Sequence, residues 1–395
     1  MPVLSNRWTV LALMCLARTS MAMQFQSIPP ITQHLMADLG LNYTQIGTLI
    51  GLYMVAGIFL ALPAGLLGNR FGDKRVVLSG LAMMTLGSVL FTWSQSFELA
   101  FVARLLGGVG VVLLNVLLTK IITDWFAGKE IATAMGFMVT TWPFGIALSL
   151  SNLGWVAEAT NWQTAILVTA GFSGLALLGI ALFYKNPEKT PNAGSGELSP
   201  RLWVIQRMEL VLILVAGFVW MLPNTGFIIL FSFAPALLIS KGLAPTLAGM
   251  TVSIVSWISI ASMPLGGLLA DRLKRINFFI LFGLSMSAVV LWLLPVGGSP
   301  IIWMVLLGLI SGTWPGQVMT LPGKALSPQS RATGFGIFYS IYYLGMASLP
   351  PIGGWLVDTT GSASVPMAFG GGLFIAGIAA LLLFRMLFHK YSATS

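Results

Sequence analysis

The chain has 395 residues, of which 57% are hydrophobic and only 8% charged, and its mean hydropathy of +0.91 lies far outside the range of soluble domains. The net charge of +9 does not argue for nucleic acid, because the cations recur in short segments between apolar runs. One cysteine, Cys15, excludes an intrachain disulfide, and two histidines apart in sequence offer no metal-ligand spacing, so neither cofactor nor metal is expected.

In chain order, apolar runs cover residues 8–28, 44–67, 76–93, 97–122, 131–151 and 162–184, and then 209–239, 245–270, 276–296, 300–321, 333–357 and 365–388. Each is long enough, at roughly 20 residues, to cross ~30 Å of hydrocarbon as a helix, the form that satisfies its own backbone there. The first run follows Arg7 and precedes Ser20-Met21-Ala22, as a signal peptide would. Arg18 interrupts its apolar region, however, so it is read as the first membrane helix.

The basic residues orient the twelve spans. With the N-terminus inside, sixteen of the twenty Lys and Arg fall on inside segments, from Arg7 through Arg70, Lys74 and Arg75 to Arg385 and Lys390. Only Lys241 falls outside, and Arg18, Arg104 and Lys120 lie within spans. Both termini are therefore expected in the cytoplasm. Trp8, Trp93, Trp162 and Trp303 sit near span ends and read as interface anchors.

The one long polar stretch, 185–207, holds three prolines and four basic residues and reads as a flexible linker. It separates an expected six-helix bundle over 1–184 from a second over 208–395. The halves echo each other. Gly65-Leu66-Leu67-Gly68-Asn69-Arg70 matches Gly267-Leu268-Leu269-Ala270-Asp271-Arg272, and Gly154-Trp155 matches Gly354-Trp355. A repeat of about 200 residues with an even number of spans per copy has parallel topology, with its two-fold axis along the membrane normal.

These motifs resemble those of the major facilitator superfamily. The loop from Gly65 to Arg75 is similar to the family's motif between spans two and three, and 267–275 is similar to its second-half copy. Arg104-Leu105-Leu106-Gly107-Gly108-Val109-Gly110 resembles its span-four arginine motif, and Trp142-Pro143-Phe144-Gly145 its span-five motif. The segments 120–126 and 342–355 are similar to the cyanate/nitrate-like bacterial branch. The resemblance implies an all-α fold of twelve transmembrane helices in two bundles, alternating access, a monomer, and residence in a bacterial inner membrane. It also implies gating at the inner ends of helices by Asn69, Arg70, Asp271, Arg272 and Arg331, with Asp271 approaching the 324–331 loop when that side closes. Where the family carries aspartate this chain has Asn69, which accepts a hydrogen bond but cannot form an ion pair.

Three cations and no acids lie within the spans. An arginine at mid-span costs about 2.5–3.5 kcal/mol on insertion scales and so faces a cavity or a partner. Arg18 sits near the midplane, Arg104 about seven residues into span four, and Lys120 close enough to the inner end to snorkel to the headgroups. A cavity holding unpaired guanidinium groups favours an anionic substrate, organic or inorganic. Tyr53, Asn115, Trp142, Asn224, Trp314, Gln317, Tyr339 and Tyr343, several of them beside Pro143, Pro223 or Pro315, are further candidates to line it. An exporter of neutral or cationic hydrophobic compounds would want an acid at membrane depth. A membrane enzyme would want clustered acids, histidines or an activated nucleophile. The sequence offers neither, nor a nucleotide-binding loop, so a gradient-driven or facilitative carrier is expected, as uniporter or antiporter. Protease added to right-side-out vesicles is predicted to spare the 185–207 segment; cleavage there would overturn the orientation.

Overall fold

The computed structural model describes residues 6–61, 63–126, 130–185, 205–327 and 329–392. Most of the 185–207 linker, Lys129 and the side chain of Asn69 lie outside the described part. Among the described residues all regular structure is helical, and the helices alternate in direction through the molecule.

Helix α1 (Arg7–Phe25) ends ahead of Pro29-Pro30, a 3-10 turn and a short α2 (Thr32–Leu39) come next, and α3 (Tyr43–Leu60) returns. Pro63 removes the N–H that would continue α3, so the second apolar run is completed by a separate α4 (Ala64–Phe71). The first bundle closes with α5 (Asp73–Thr92), α6 (Phe97–Trp125), α7 (Ile131–Ala159) and α8 (Trp162–Phe183). The second contains α9 (Arg207–Ser240), α10 (Pro245–Leu273), α11 (Ile276–Leu293), the fragments α12 (Pro300–Ser311), α13 (Pro315–Val318) and α14 (Leu321–Ala325), then α15 (Arg331–Thr360) and α16 (Val365–Ser392). Ten spans among the described residues are long and apolar enough to cross a bilayer, the fragmented one included. Helices α1 and α15, richer in polar residues, complete twelve crossings in two six-helix bundles.

The prolines behave unequally. Helices α7 and α9 run unbroken through Pro143, Pro223 and Pro235, whereas Gly312, Pro315 and Gly316 together divide the tenth crossing. Two expectations are corrected. Lys120 does not snorkel free: its ammonium pairs with both oxygens of Asp73 at 2.9 Å, tying α6 to the start of α5. Trp162 is not an interface anchor; it is 1% exposed and its indole donates to Asp38 at 2.8 Å.

The basic end of the molecule carries Arg7, Arg70 and Arg272, and the other end carries Asp38, Glu158 and Asp358. At this acidic end the bundles meet along two seams. In the first, Asp358 at the end of α15 receives the N–H groups of Tyr43 and Thr44 at 3.0 and 2.8 Å and the Thr44 hydroxyl at 2.5 Å. The next N–H of α3, from Gln45, goes to Asn42 at 2.8 Å, and Gln45 returns a bond to the Asn42 N–H. The whole first turn of α3 is thereby satisfied, and a carboxylate sits where the helix dipole wants negative charge. Below it the two backbones touch: a Cβ on Gly47 or Gly51 would fall on the carbonyls of Pro350 or Ala347, and one on Gly354 on that of Tyr43. The second seam repeats this plan. Glu158 at the end of α7 accepts from the Thr246 N–H at 3.1 Å, Pro245 needs no partner, and Ser151 meets Ser253 at 2.9 Å.

At the basic end Asp271 and Arg272 are exposed, and Asp271 enters no ion pair with Arg331 or any other described residue. Asp271 is thus unpaired among the described residues while the bundles meet at the acidic end. Neutralising both carboxylates as Glu158→Gln with Asp358→Asn is predicted to weaken the seams by about 1 kcal/mol each, the scale of a charge at a helix start. In a Cys15→Ser background, a cysteine at the buried Ser253 should then react with maleimide several-fold faster; an unchanged rate would overturn the assignment.

Candidate substrate site between the bundles

The three intramembrane cations have three different environments. Arg104 is 6% exposed and wholly occupied: its Nε donates to the Leu49 carbonyl at 2.9 Å, Nη1 to Gln24 at 2.8 Å and Nη2 to Phe25 at 3.2 Å. Gln24 and Phe25 are the last residues of α1, whose final carbonyls have no helical partner. Arg104 therefore caps α1 from α6 and fixes it to α3, with its guanidinium 4.3 Å from the Tyr53 ring. Tyr53 is equally enclosed, its hydroxyl donating to Gln24 at 2.6 Å while Gln24 donates to Ser173 at 2.9 Å. Both expected site residues are inside the first bundle.

Arg18 is different. Its Nη1 donates to the Asn115 carbonyl oxygen at 2.9 Å, and Asn115 donates to the Tyr343 hydroxyl at 3.1 Å, so the chain of bonds crosses from α1 through α6 to α15 in the second bundle. The Arg18 Nε is buried without a partner, while the residue as a whole is half-buried. Trp142 places its ring 5.9 Å from the guanidinium, and Tyr339, Tyr342 and Tyr343 lie within its electrostatic reach. No Asp or Glu among the described residues does so. This is a cation with an unpartnered donor and no counter-ion among the described residues at the meeting of the two bundles, chemistry suited to a planar anion.

Arg18, Asn115, Trp142, Tyr339 and Tyr343 are thus brought together. The remaining candidates fall one layer behind. Asn224 turns its amide back on the Trp220 carbonyl of its own helix at 2.7 Å. Trp314 is 2% exposed with its indole N–H unpartnered, and Gln317 donates to Gly266 at 3.3 Å while its carbonyl oxygen has no partner. Trp220 and Tyr342, which sequence reasoning passes over, connect the layers: Trp220 lies 5.8 Å from Trp314 and 6.3 Å from both Phe338 and Tyr342. Their only sequence signal is adjacency, Tyr342 beside Tyr343 and Trp220 one turn before Asn224.

Known proteins resemble this chain along nearly all of its length. Residues 14–347 and 225–393 match the family model described as Major Facilitator Superfamily. The 3-(3-hydroxy-phenyl)propionate transporter of Escherichia coli is 29% identical over 348 residues, covering 85% of this chain and 84% of that protein. The lysosomal dipeptide transporter MFSD1 of Danio rerio is 24% identical over 429 residues, covering 98% and 88% respectively. The crystal structure of a bacterial homologue of the human lysosomal transporter Spinster, inward-facing and unoccupied, superposes with a TM-score of 0.73 at 17% identity, over 99% of this chain and 98% of that one.

The separate roles of the arginines predict separate losses. Arg104→Ala removes the charged donor shared by the Leu49, Gln24 and Phe25 carbonyls, where a hydrogen bond to a charged group is worth about 1.5–3 kcal/mol, and should sharply lower the yield of monodisperse protein and its melting temperature. A stably folded Arg104→Ala with altered transport alone would overturn the capping role.

Proposed function

We propose, from the premise that this chain belongs to the Major Facilitator Superfamily, that it carries a small anion across the membrane by alternating access around Arg18. Membership makes it a multi-pass membrane transporter of a small molecule and not an enzyme. The carrying observation for the finer reading is the Arg18 guanidinium, half-buried, with a free Nε–H and no carboxylate in reach among the described residues. The named substrates of the two relatives, an arylpropionate and dipeptides, both bear a carboxylate. They differ in everything else, so the substrate of this chain is read from its own site.

In this reading the two bundles, 1–184 and 208–395, rock about the site on the 185–207 linker, with the basic end and both termini in the cytoplasm of a bacterial cell. The acidic end is shut by the Glu158 and Asp358 seams and the Asp271 gate is free, which supports a cytoplasm-facing state. With no titratable acid among the described residues at the site, uniport, anion exchange or entry of a proton on the substrate fits better than proton coupling through the protein. The chain acts as a monomer.

The test is anion binding by purified, monodisperse protein. Arg18→Ala should reduce affinity for the bound anion ten- to hundredfold, since a hydrogen bond to a charged group is worth about 1.5–3 kcal/mol. Arg18→Lys should recover only part of this, because an ammonium keeps the charge and loses the planar fork. Wild-type affinity in folded Arg18→Ala would remove Arg18 from the site.

A further inference from the structure

We infer that the anion carries a flat aromatic body, seated on a wall formed by Trp220, Tyr339 and Tyr342 of the second bundle while its anionic head meets Arg18 of the first; this deepens the anion reading and rests on it. The two sides of the site differ in kind. The first bundle supplies the guanidinium with Asn115 and the Trp142 ring. The second supplies rings with hardly any charge: Trp220, Tyr339 and Tyr342, backed by Trp314, Phe338 and Phe227.

Three observations distinguish this wall from ordinary core packing. The front rings, Trp220, Tyr339 and Tyr342, are only half-buried, whereas the rings behind them, Trp314 and Phe338, are 2% and 0% exposed. The half-buried rings also lie close along the chain to the link from Arg18 through Asn115 to the Tyr343 hydroxyl: Tyr339 and Tyr342 share α15 with Tyr343, the ring of Tyr342 is 5.3 Å from that of Tyr343, and Trp220 packs on Tyr342. Their partial exposure leaves ring surface for a ligand to cover. Finally, the layer behind the wall holds a buried indole N–H, on Trp314, that no described group accepts. A bare inorganic ion against such a surface could take only the few phenol or indole donors and would leave the ring faces uncovered. A flat ring would replace the water with stacked or edge-to-face contacts, the geometry these side chains already adopt among themselves. The separation of a fork on one bundle from an apolar wall on the other also means that a ligand with both parts contacts both bundles at once.

The probes are benzoate, acetate, nitrate and benzylamine, titrated against the full-length protein in detergent with melting temperature and calorimetry as readouts. Benzoate should bind at least about tenfold more tightly than acetate or nitrate, by the apolar area it buries. Trp220→Leu should lower benzoate affinity several-fold more than acetate affinity, whereas Arg18→Lys should lower both together. If Trp220→Leu does not fold, Tyr342→Leu against Tyr342→Phe serves, with the ring-keeping variant retaining the preference for benzoate. Equal, Arg18-dependent binding of acetate, nitrate and benzoate would overturn the aromatic wall and leave the anion reading standing. Binding of benzylamine in preference to benzoate, or of benzoate regardless of Arg18, would overturn the anion reading itself, as would the absence of binding by every anion in the panel.

Discussion

A guanidinium inside a bilayer must be given partners, and the two central arginines meet that demand to different degrees. Arg104 receives three carbonyls, two of them from the frayed end of α1, and becomes part of the frame. Its positive charge answers the negative end of a helix that stops short within the bundle because Pro29 and Pro30 prevent its continuing. Arg18 receives one amide oxygen and keeps a donor in hand. The difference lies in distance from a helix terminus: Arg104 finds spare carbonyls, and Arg18, at mid-helix on α1, faces backbone already paired with itself. Unmet demand at Arg18 is the ground on which the proposed site rests.

That gap exists because the bundles touch elsewhere on stricter terms. The seams at the acidic end are built from backbone against backbone, with carboxylates on helix starts above them. Such contacts are polar and short in reach, and they fix how the ends of the helices meet. The interior of each bundle is the opposite case. Gln24 with Ser173 and Tyr53, and Lys120 with Asp73, are bonds within one bundle and hold it together as a unit. The distribution of polar partners, internal and plentiful in one place, terminal and sparse in the other, distinguishes the inside of a bundle from the boundary between the two.

Much of this is legible in the sequence, and the limits have physical causes. Twelve crossings and their alternation come from run length and from where the cations fall. Arg18 stands out because nothing in its apolar run neutralises it. Depth, however, is all that a run discloses; the direction in which a side chain points around its helix depends on neighbours distant in sequence. For that reason the sequence groups Arg104 and Tyr53 with Arg18, although they lie inside the first bundle. Trp220 and Tyr342 are indistinguishable there from core aromatics, since half-burial against a partner bundle leaves no mark on composition. The acids Glu158 and Asp358 each come after the repeated Gly-Trp pair by the same interval, yet their partners lie 88 and 315 residues away. The prolines at 143 and 223 mislead for a related reason: tertiary packing carries α7 and α9 through them, whereas the cluster around Pro315 divides the tenth crossing.

The close approach of α3 to α15 has one more consequence, for how this chain can drift over evolutionary time. At Gly47, Gly51 and Gly354 the space that a methyl group would occupy already belongs to the opposite backbone. A single alanine there acts as a wedge between the helices while leaving the identity of every side chain at the candidate site unchanged. Descendants of this sequence can therefore change which conformation they rest in without touching what they recognise. Direction preference and substrate range become separately mutable traits.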